Sequence, residues 1–512
     1  MEGQSRTKNS AINILFSLGG YAVTLILQLV GRSIFLERLS ADYLGLGGLF
    51  SSILSMLALS ELGIGSAIIY ALYKPISENN VNKIKSLMAV YRKMYTAIGC
   101  FVLLAGILVT PFLRFLIKDM PDIPYIKIYF LLYVANSAFS YFCTYKRSLI
   151  VCNQKEYIST TTTSIAAIVL RVLQIVILLT TGNYFLYLMA QIIVTLGENL
   201  WISHIANKMY PYIREKDAEP LGKDDTQALK KNILAMFGHK LGNVIVNTTD
   251  SLIISKILGL AAVGLFSNYN LILSNLQSIY GKVFNALSAS IGNLTASTDS
   301  EHSEDILNAL VLVAYFIQST LATCLFVLFQ DFIKLWLGEN YLFSQYTVAI
   351  IVCNFYISNM RTPVMTFRNA TGTFWNDRYK PIIESVVNLV VSIPLTFVLG
   401  VGGVKLGTII STLTAAFWME AYVLYKYYFG KTVGKYLLKQ LYLCCLTLII
   451  TTTTYFIGSF IPCLSIMTFL LKAVLCCAIP IIINLILFNR TKEFRLVMSK
   501  IKALFVRRIH HE

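Results

Sequence analysis

The stretch Gly45-Leu46-Gly47-Gly48-Leu49-Phe50-Ser51-Ser52-Ile53-Leu54-Ser55-Met56-Leu57 recurs in altered form about 219 residues further on. The second copy reads Gly264-Leu265-Phe266-Ser267-Asn268-Tyr269-Asn270-Leu271-Ile272-Leu273-Ser274-Asn275-Leu276. With one gap, Arg38 ahead of the first copy meets Lys256 ahead of the second. Each copy lies in an apolar helix pair, and an even number of apolar spans precedes each pair, so the two copies share one orientation. This predicts an all-α membrane protein with two parallel six-helix lobes, related by an axis along the membrane normal, and a substrate path between them.

Working outward, apolar blocks of membrane-spanning length fall near residues 11–36, 44–70, 88–110, 126–149, 158–180, 184–206, 232–258, 262–290, 306–330, 343–367, 382–400, 404–428, 437–460 and 465–488. That is about 14 helices at ~22 residues each. The first block is too long for the core of a signal peptide and reads as an uncleaved helix. The expected organisation is an N-lobe at 1–207 (helices 1–6), a connecting loop at 208–231 and a C-lobe at 232–430 (helices 7–12). Two extra helices at 431–488 and a basic tail at 489–512 follow. Charged residues make up 13% of the 512, against roughly 25% in soluble domains, so a soluble enzyme is excluded.

The formal net charge is +17, from 43 Lys and Arg against 26 Asp and Glu. With a cytoplasmic N-terminus, about 30 of the basic residues fall on inner connections and about 7 on outer ones, as the positive-inside bias requires. The excess charge therefore sets orientation and does not indicate nucleic acid. Both termini are placed in the cytoplasm, and the chain in a bacterial cytoplasmic membrane. The ten cysteines show no paired metal or redox spacing, and no metal or cofactor is expected. No Walker A, HExxH or GxSxG motif is present, and the longest inner loop, Lys208 to Lys231, is too short for a nucleotide-binding domain. The chain is read as a transporter and not an enzyme.

Polar residues recur at helical spacing inside several spans, which gathers them on single faces. The first span carries Ser17, Tyr21, Thr24, Gln28 and Arg32; the fifth carries Thr160, Ser164, Arg171 and Gln174. The seventh carries His239, Asn243, Asn247 and Asp250 with Lys240 beside them; the eighth carries Asn268, Asn275, Ser278, Lys282 and Asn285; the tenth carries Asn354, Ser358, Arg361 and Arg368, with a kink expected at Pro363. Isolated acids sit at Glu61, Glu198, Glu384 and Glu420. Such residues also tie helices together, but a cation deep in a bilayer is costly and usually faces a wet interior. The residues expected to line an anion and sugar path are Gln28, Arg32, Arg171, Lys240, Asn243, Lys282 and Arg361. Arginine forks suit phosphate, and lysine supplies point charge. Glu61, His239 and Asp250 are the candidates for ion or proton coupling. Lys472, outside the repeat, reads as a structural or snorkelling lysine.

The run Arg32-Ser-Ile-Phe-Leu-Glu-Arg-Leu-Ser-Ala-Asp-Tyr-Leu-Gly-Leu-Gly-Gly-Leu-Phe resembles the opening of bacterial polysaccharide repeat-unit flippases of the Wzx type. So does Ser60-Glu-Leu-Gly-Ile-Gly-Ser-Ala-Ile-Ile-Tyr-Ala-Leu-Tyr-Lys-Pro. Asn247-Thr-Thr-Asp-Ser-Leu-Ile-Ile-Ser-Lys is similar to their seventh helix, and Val263-Gly-Leu-Phe-Ser-Asn-Tyr to their eighth. Arg147-Ser-Leu-Ile-Val-Cys-Asn-Gln-Lys-Glu-Tyr-Ile is similar to their fourth-to-fifth connection. The resemblance covers the first twelve helices. It implies membership of the multidrug/oligosaccharidyl-lipid/polysaccharide exporter superfamily, a V-shaped pair of lobes and alternating access. It further implies a substrate, an oligosaccharide linked by diphosphate to a polyprenyl lipid, flipped to the outer leaflet for capsule, exopolysaccharide or O-antigen-type synthesis. A polysaccharide polymerase and glycosyltransferases are the implied partners. The alternative is an ion-coupled multidrug exporter on the same fold, whose cavity should be dominated by acids.

Overall fold

The computed structural model describes residues 6–499 except 62, 119, 154, 216–218, 298, 299, 372, 378 and 464, and leaves out further side chains, among them 6–19, 234–243, 245–247 and 285–290. Among the described residues the regular structure is helical throughout. The first helices are α1 (Arg6–Arg38), α2 (Ala41–Leu57), α3 (Ile64–Ser77), α4 (Val81–Val109), α5 (Ile126–Thr144), α6 (Glu156–Thr181), α7 (Tyr184–Met209) and α8 (Lys223–Leu258). They are followed by α9 (Leu260–Ser297), α10 (Ser300–Leu337), α11 (Gln345–Met360), α12 (Thr362–Thr371) and α13 (Lys380–Leu399). The last three are α14 (Val401–Phe429), α15 (Gly434–Ser459) and α16 (Ile466–Phe488).

Ten helices among the described residues are long and apolar enough to cross a membrane. Among the described residues the expected spans are helical, and three are broken, the fourth ending at Thr144 and resuming at Arg147. The second divides into α2 and α3 around a turn at Ala58–Glu61, because Gly63 takes a left-handed backbone (φ 89°) and restarts the chain as α3. The tenth divides at Arg361, between Met360 and Thr362, with Pro363 directly behind the break. The ring of proline removes the N–H that would otherwise bond back into the preceding turn.

The chain forms two compact units, Met1–Gly264 and Leu265–Glu512. In the first, α1 packs along α6, α4 along α5, α5 and α6 along α7, and α8 along α2 and α3. The helix assigned by sequence to the start of the second lobe therefore lies on the first unit's α2. The contact that permits it is reciprocal. A Cβ at Gly45 would overlap the Leu260 carbonyl oxygen, and a Cβ at Gly264 would overlap the Ala41 carbonyl oxygen. The glycine of each sequence copy thus meets the position four residues before the glycine of the other copy. Bare glycine backbones are what allow membrane helices so close an approach.

In the second unit, α10 packs against α11, α15 and α16, and α11 against α14. Helices α13 and α14 form a tight hairpin at Gly400 (φ 59°, ψ −139°), where Gly403 and Gly407, one turn apart, lie against the backbone of Leu395 and Ser392.

Candidate functional site

Gln28 and Arg32 lie one turn apart on α1, and Arg171 and Gln174 one turn apart on α6. The packing of α1 on α6 turns both pairs toward the same small cavity of about 80 Å³. Gly31 faces Ile175 there, where a Cβ would make ordinary van der Waals contact at 3.5 Å. Arg171 Nη1 donates to Gln174 Oε1 at 3.2 Å, which fixes the direction of the guanidinium. Tyr187, one turn into α7, closes the cavity, and its hydroxyl interacts with both Arg32 and Arg171.

Tyr187 is itself held by rings. It stacks on Tyr184 (centroids 5.9 Å apart, planes at 19°) and meets Phe35 edge-on at 5.4 Å. Behind them the hydroxyls of Tyr133 and Tyr184 lie 3.3 Å apart. Asn183 fixes the start of α7 by accepting from the backbone N–H groups of Phe185 and Leu186.

Two guanidiniums share this space and repel each other, and among the described residues no carboxylate lines it. An anion placed between them would relieve the repulsion and could accept from both forks. Low-dielectric walls strengthen that attraction several-fold over water. The site therefore suits a small multivalent anion such as a phosphate or diphosphate group.

Three of the sequence-predicted residues, Gln28, Arg32 and Arg171, are brought together here. The side chains of His239, Lys240 and Asn243 lie outside the described ones; their backbone is within α8. Asp250 is buried on α8 beside Thr248 and Thr249, and Lys282 is exposed on α9. Glu61 sits in the α2–α3 break, where Tyr95 donates to its Oε1 at 2.5 Å and Tyr141 also interacts with it.

Arg361 has a different setting from the one the sequence suggests. It lies in a buried cluster of charges. Its Nε and Nη2 donate to both oxygens of Glu420, at 3.0 and 2.8 Å, and its Nη1 donates to Glu384 at 3.2 Å. Lys380 reaches Glu420 at 2.7 Å and Glu384 at 3.4 Å, while Arg368 pairs with Asp377 and lies 3.6 Å from Glu420. Two π-helical turns, Thr412–Ala416 and Tyr425–Phe429, bracket Glu420 and aim it into the cluster. Two further charges inside the expected spans are paired: Glu198 with Arg147 at 2.6 Å and Lys472 with Asp331 at 2.7 Å.

The cavity residue that sequence patterning did not select is Tyr187. Its signal was local: an aromatic pair, Tyr184 and Tyr187, at helical spacing directly after the Gly182-Asn183 turn.

No protein-family model and no curated protein sequence matches this chain. Among solved structures, it is similar to the lipid II flippase MurJ in its inward closed conformation, with a TM-score of 0.63 and 15% identity over 93% of this chain and 99% of that one. It is also similar to an inward-facing multidrug resistance transporter of the MATE family, within the MOP superfamily, with a TM-score of 0.59 and 14% identity over 78% of this chain and 93% of that one. These likenesses establish the fold: the chain is an all-helical, multi-pass membrane protein with the fold of that flippase and that transporter.

Proposed function

We propose that this protein flips polyprenyl-diphosphate-linked oligosaccharide repeat units across the bacterial cytoplasmic membrane by alternating access, for capsule, exopolysaccharide or O-antigen-type synthesis. The observation that carries the reading is the cavity in which Arg32 and Arg171 converge with, among the described residues, no carboxylate on its walls. The diphosphate is held there, with Gln28 and Gln174 as neutral polar neighbours. The sugars travel through a wet polar path, to which Lys240, Asn243 and Lys282 are assigned. The lipid tail stays in the bilayer. Arg361 is assigned to holding the second unit together, since its donors are engaged by Glu420 and Glu384. Glu61, His239 and Asp250 remain the assigned coupling groups, and a polymerase and glycosyltransferases the assigned partners.

The multidrug-exporter reading shares the fold but needs acids where a cationic drug would sit; the Arg32–Arg171 cavity offers the opposite charge. Replacing Arg171 or Lys282 with Ala is expected to lower polymer export while the protein still reaches the membrane. For Arg171 the loss should be about ten- to hundred-fold, the equivalent of ~1.5–3 kcal/mol for charged hydrogen bonds. Export is measured as surface polymer per cell, together with the lipid-linked intermediate that accumulates inside. Normal export from both variants would remove them from the substrate path.

A further inference from the structure

The first unit holds a second cavity, of about 380 Å³, built from residues that the Arg32–Arg171 site does not use. It lies where α3 ends, α4 begins and α8 begins. The chain path separates the two cavities. The Arg32–Arg171 site includes Leu44 in the first turn of α2, close behind the end of α1 at Arg38. From there α2 and α3 run back to Ser77, and α4 starts at Val81. The second cavity therefore belongs to the opposite end of this unit, which the positive-inside bias places on the cytoplasmic side.

Its chemistry is also different. Tyr70 and Tyr73, one turn apart on the last turns of α3, are 71% and 51% exposed and line the opening. Lys74 and Glu78 stand beside them, 3.8 Å apart. On the far wall Lys83 in the first turn of α4 reaches Asp225 in the first turn of α8 at 2.8 Å. Pro75, inside α3, has no N–H to give the Ala71 carbonyl four residues back, and Ala71 lines the cavity. Two tyrosines, two lysines and two carboxylates thus line one opening of ligand size. A polyol with apolar C–H faces matches each of these: its faces lie on tyrosine rings and its hydroxyls exchange hydrogen bonds with the charged groups.

We propose that this cavity is a glycosyl subsite on the receiving side, which takes sugar units of the substrate before the diphosphate reaches Arg32 and Arg171. The proposal rests on the flippase reading above for the source of the sugar.

The test uses the full chain in lipid nanodiscs with two kinds of probe. Soluble glycans (a glucose trimer, an N-acetylglucosamine trimer and a glucuronate-containing tetrasaccharide) are titrated by saturation-transfer NMR. Farnesyl diphosphate is titrated separately. At least one glycan is expected to bind, and the Tyr70→Ala/Tyr73→Ala protein should bind it about ten-fold more weakly once both rings are gone. The Tyr70→Phe/Tyr73→Phe protein keeps the ring faces and should stay close to wild type, and neither pair should alter farnesyl diphosphate affinity. The subsite is overturned if wild type binds no glycan, if the alanine pair binds glycan as wild type does, or if binding appears only when the nanodisc contains anionic phospholipid. A wild-type protein that binds glycan but not farnesyl diphosphate would instead count against the flippase reading and leave the subsite standing.

Discussion

Glu420→Gln is expected to destabilise the second unit by about 3–5 kcal/mol, the cost of removing one partner from a buried ion pair. Glu420 is 1% exposed and carries hydrogen bonds from Arg361 on both oxygens and from Lys380 on one, with Arg368 close by. Glutamine keeps the shape but removes the charge, so three buried cations are left to face Glu384 and Asp377 alone. The loss should appear as a lower melting temperature and poorer recovery of monodisperse protein in detergent. Replacing Arg361 and Glu420 together with leucine should cost less than the sum of the two single changes, because the pair leaves together. A melting temperature unchanged in Glu420→Gln would show that the cluster contributes nothing to folding.

The second large effect is expected at the crossing of the repeat. Any side chain at Gly45 must displace the Leu260 carbonyl, and any at Gly264 the Ala41 carbonyl; both obstacles are backbone, so no rotamer change relieves them. Overpacking of this kind costs ~1–3 kcal/mol for one methyl, and Gly45→Leu should exceed it. At Gly47, by contrast, the nearest obstacle is the Tyr133 hydroxyl at 3.0 Å, at the end of a side chain that can turn, so Gly47→Ala should be milder. Comparing the folded yield and melting temperature of Gly45→Ala, Gly264→Ala and Gly47→Ala tests this ranking. Equal behaviour of all three would refute it.

Much of the architecture was written in the apolar pattern. The helices are legible because a bilayer forces every spanning segment to satisfy its own backbone, so length and hydropathy suffice to place them. The breaks were less legible. Pro363 announces the one at Arg361, whereas the α2–α3 break depends on a left-handed Gly63 that looks like any other glycine in a Gly-Ile-Gly run. The candidate site was half visible. Helical spacing collected Gln28 with Arg32 and Arg171 with Gln174, but only tertiary packing could bring α1 onto α6 and add Tyr187. Spacing was also blind to pairing. Arg361, Glu384 and Glu420 read as three isolated intramembrane charges, although they lie on three different segments that fold into one cluster. A periodic stripe records which residues share a face; it does not record what that face meets.

The central claim is that two converging guanidiniums select a diphosphate lipid. Its most direct test is translocation of a fluorescent polyprenyl-diphosphate oligosaccharide between leaflets of proteoliposomes, by wild type and by Arg32→Ala/Arg171→Ala. The wild type is expected to move the probe, and the double variant to lose at least about ten-fold in rate, with its melting temperature preserved. A double variant that transports at the wild-type rate, or a wild type that moves a cationic dye but not the diphosphate lipid, would contradict the account.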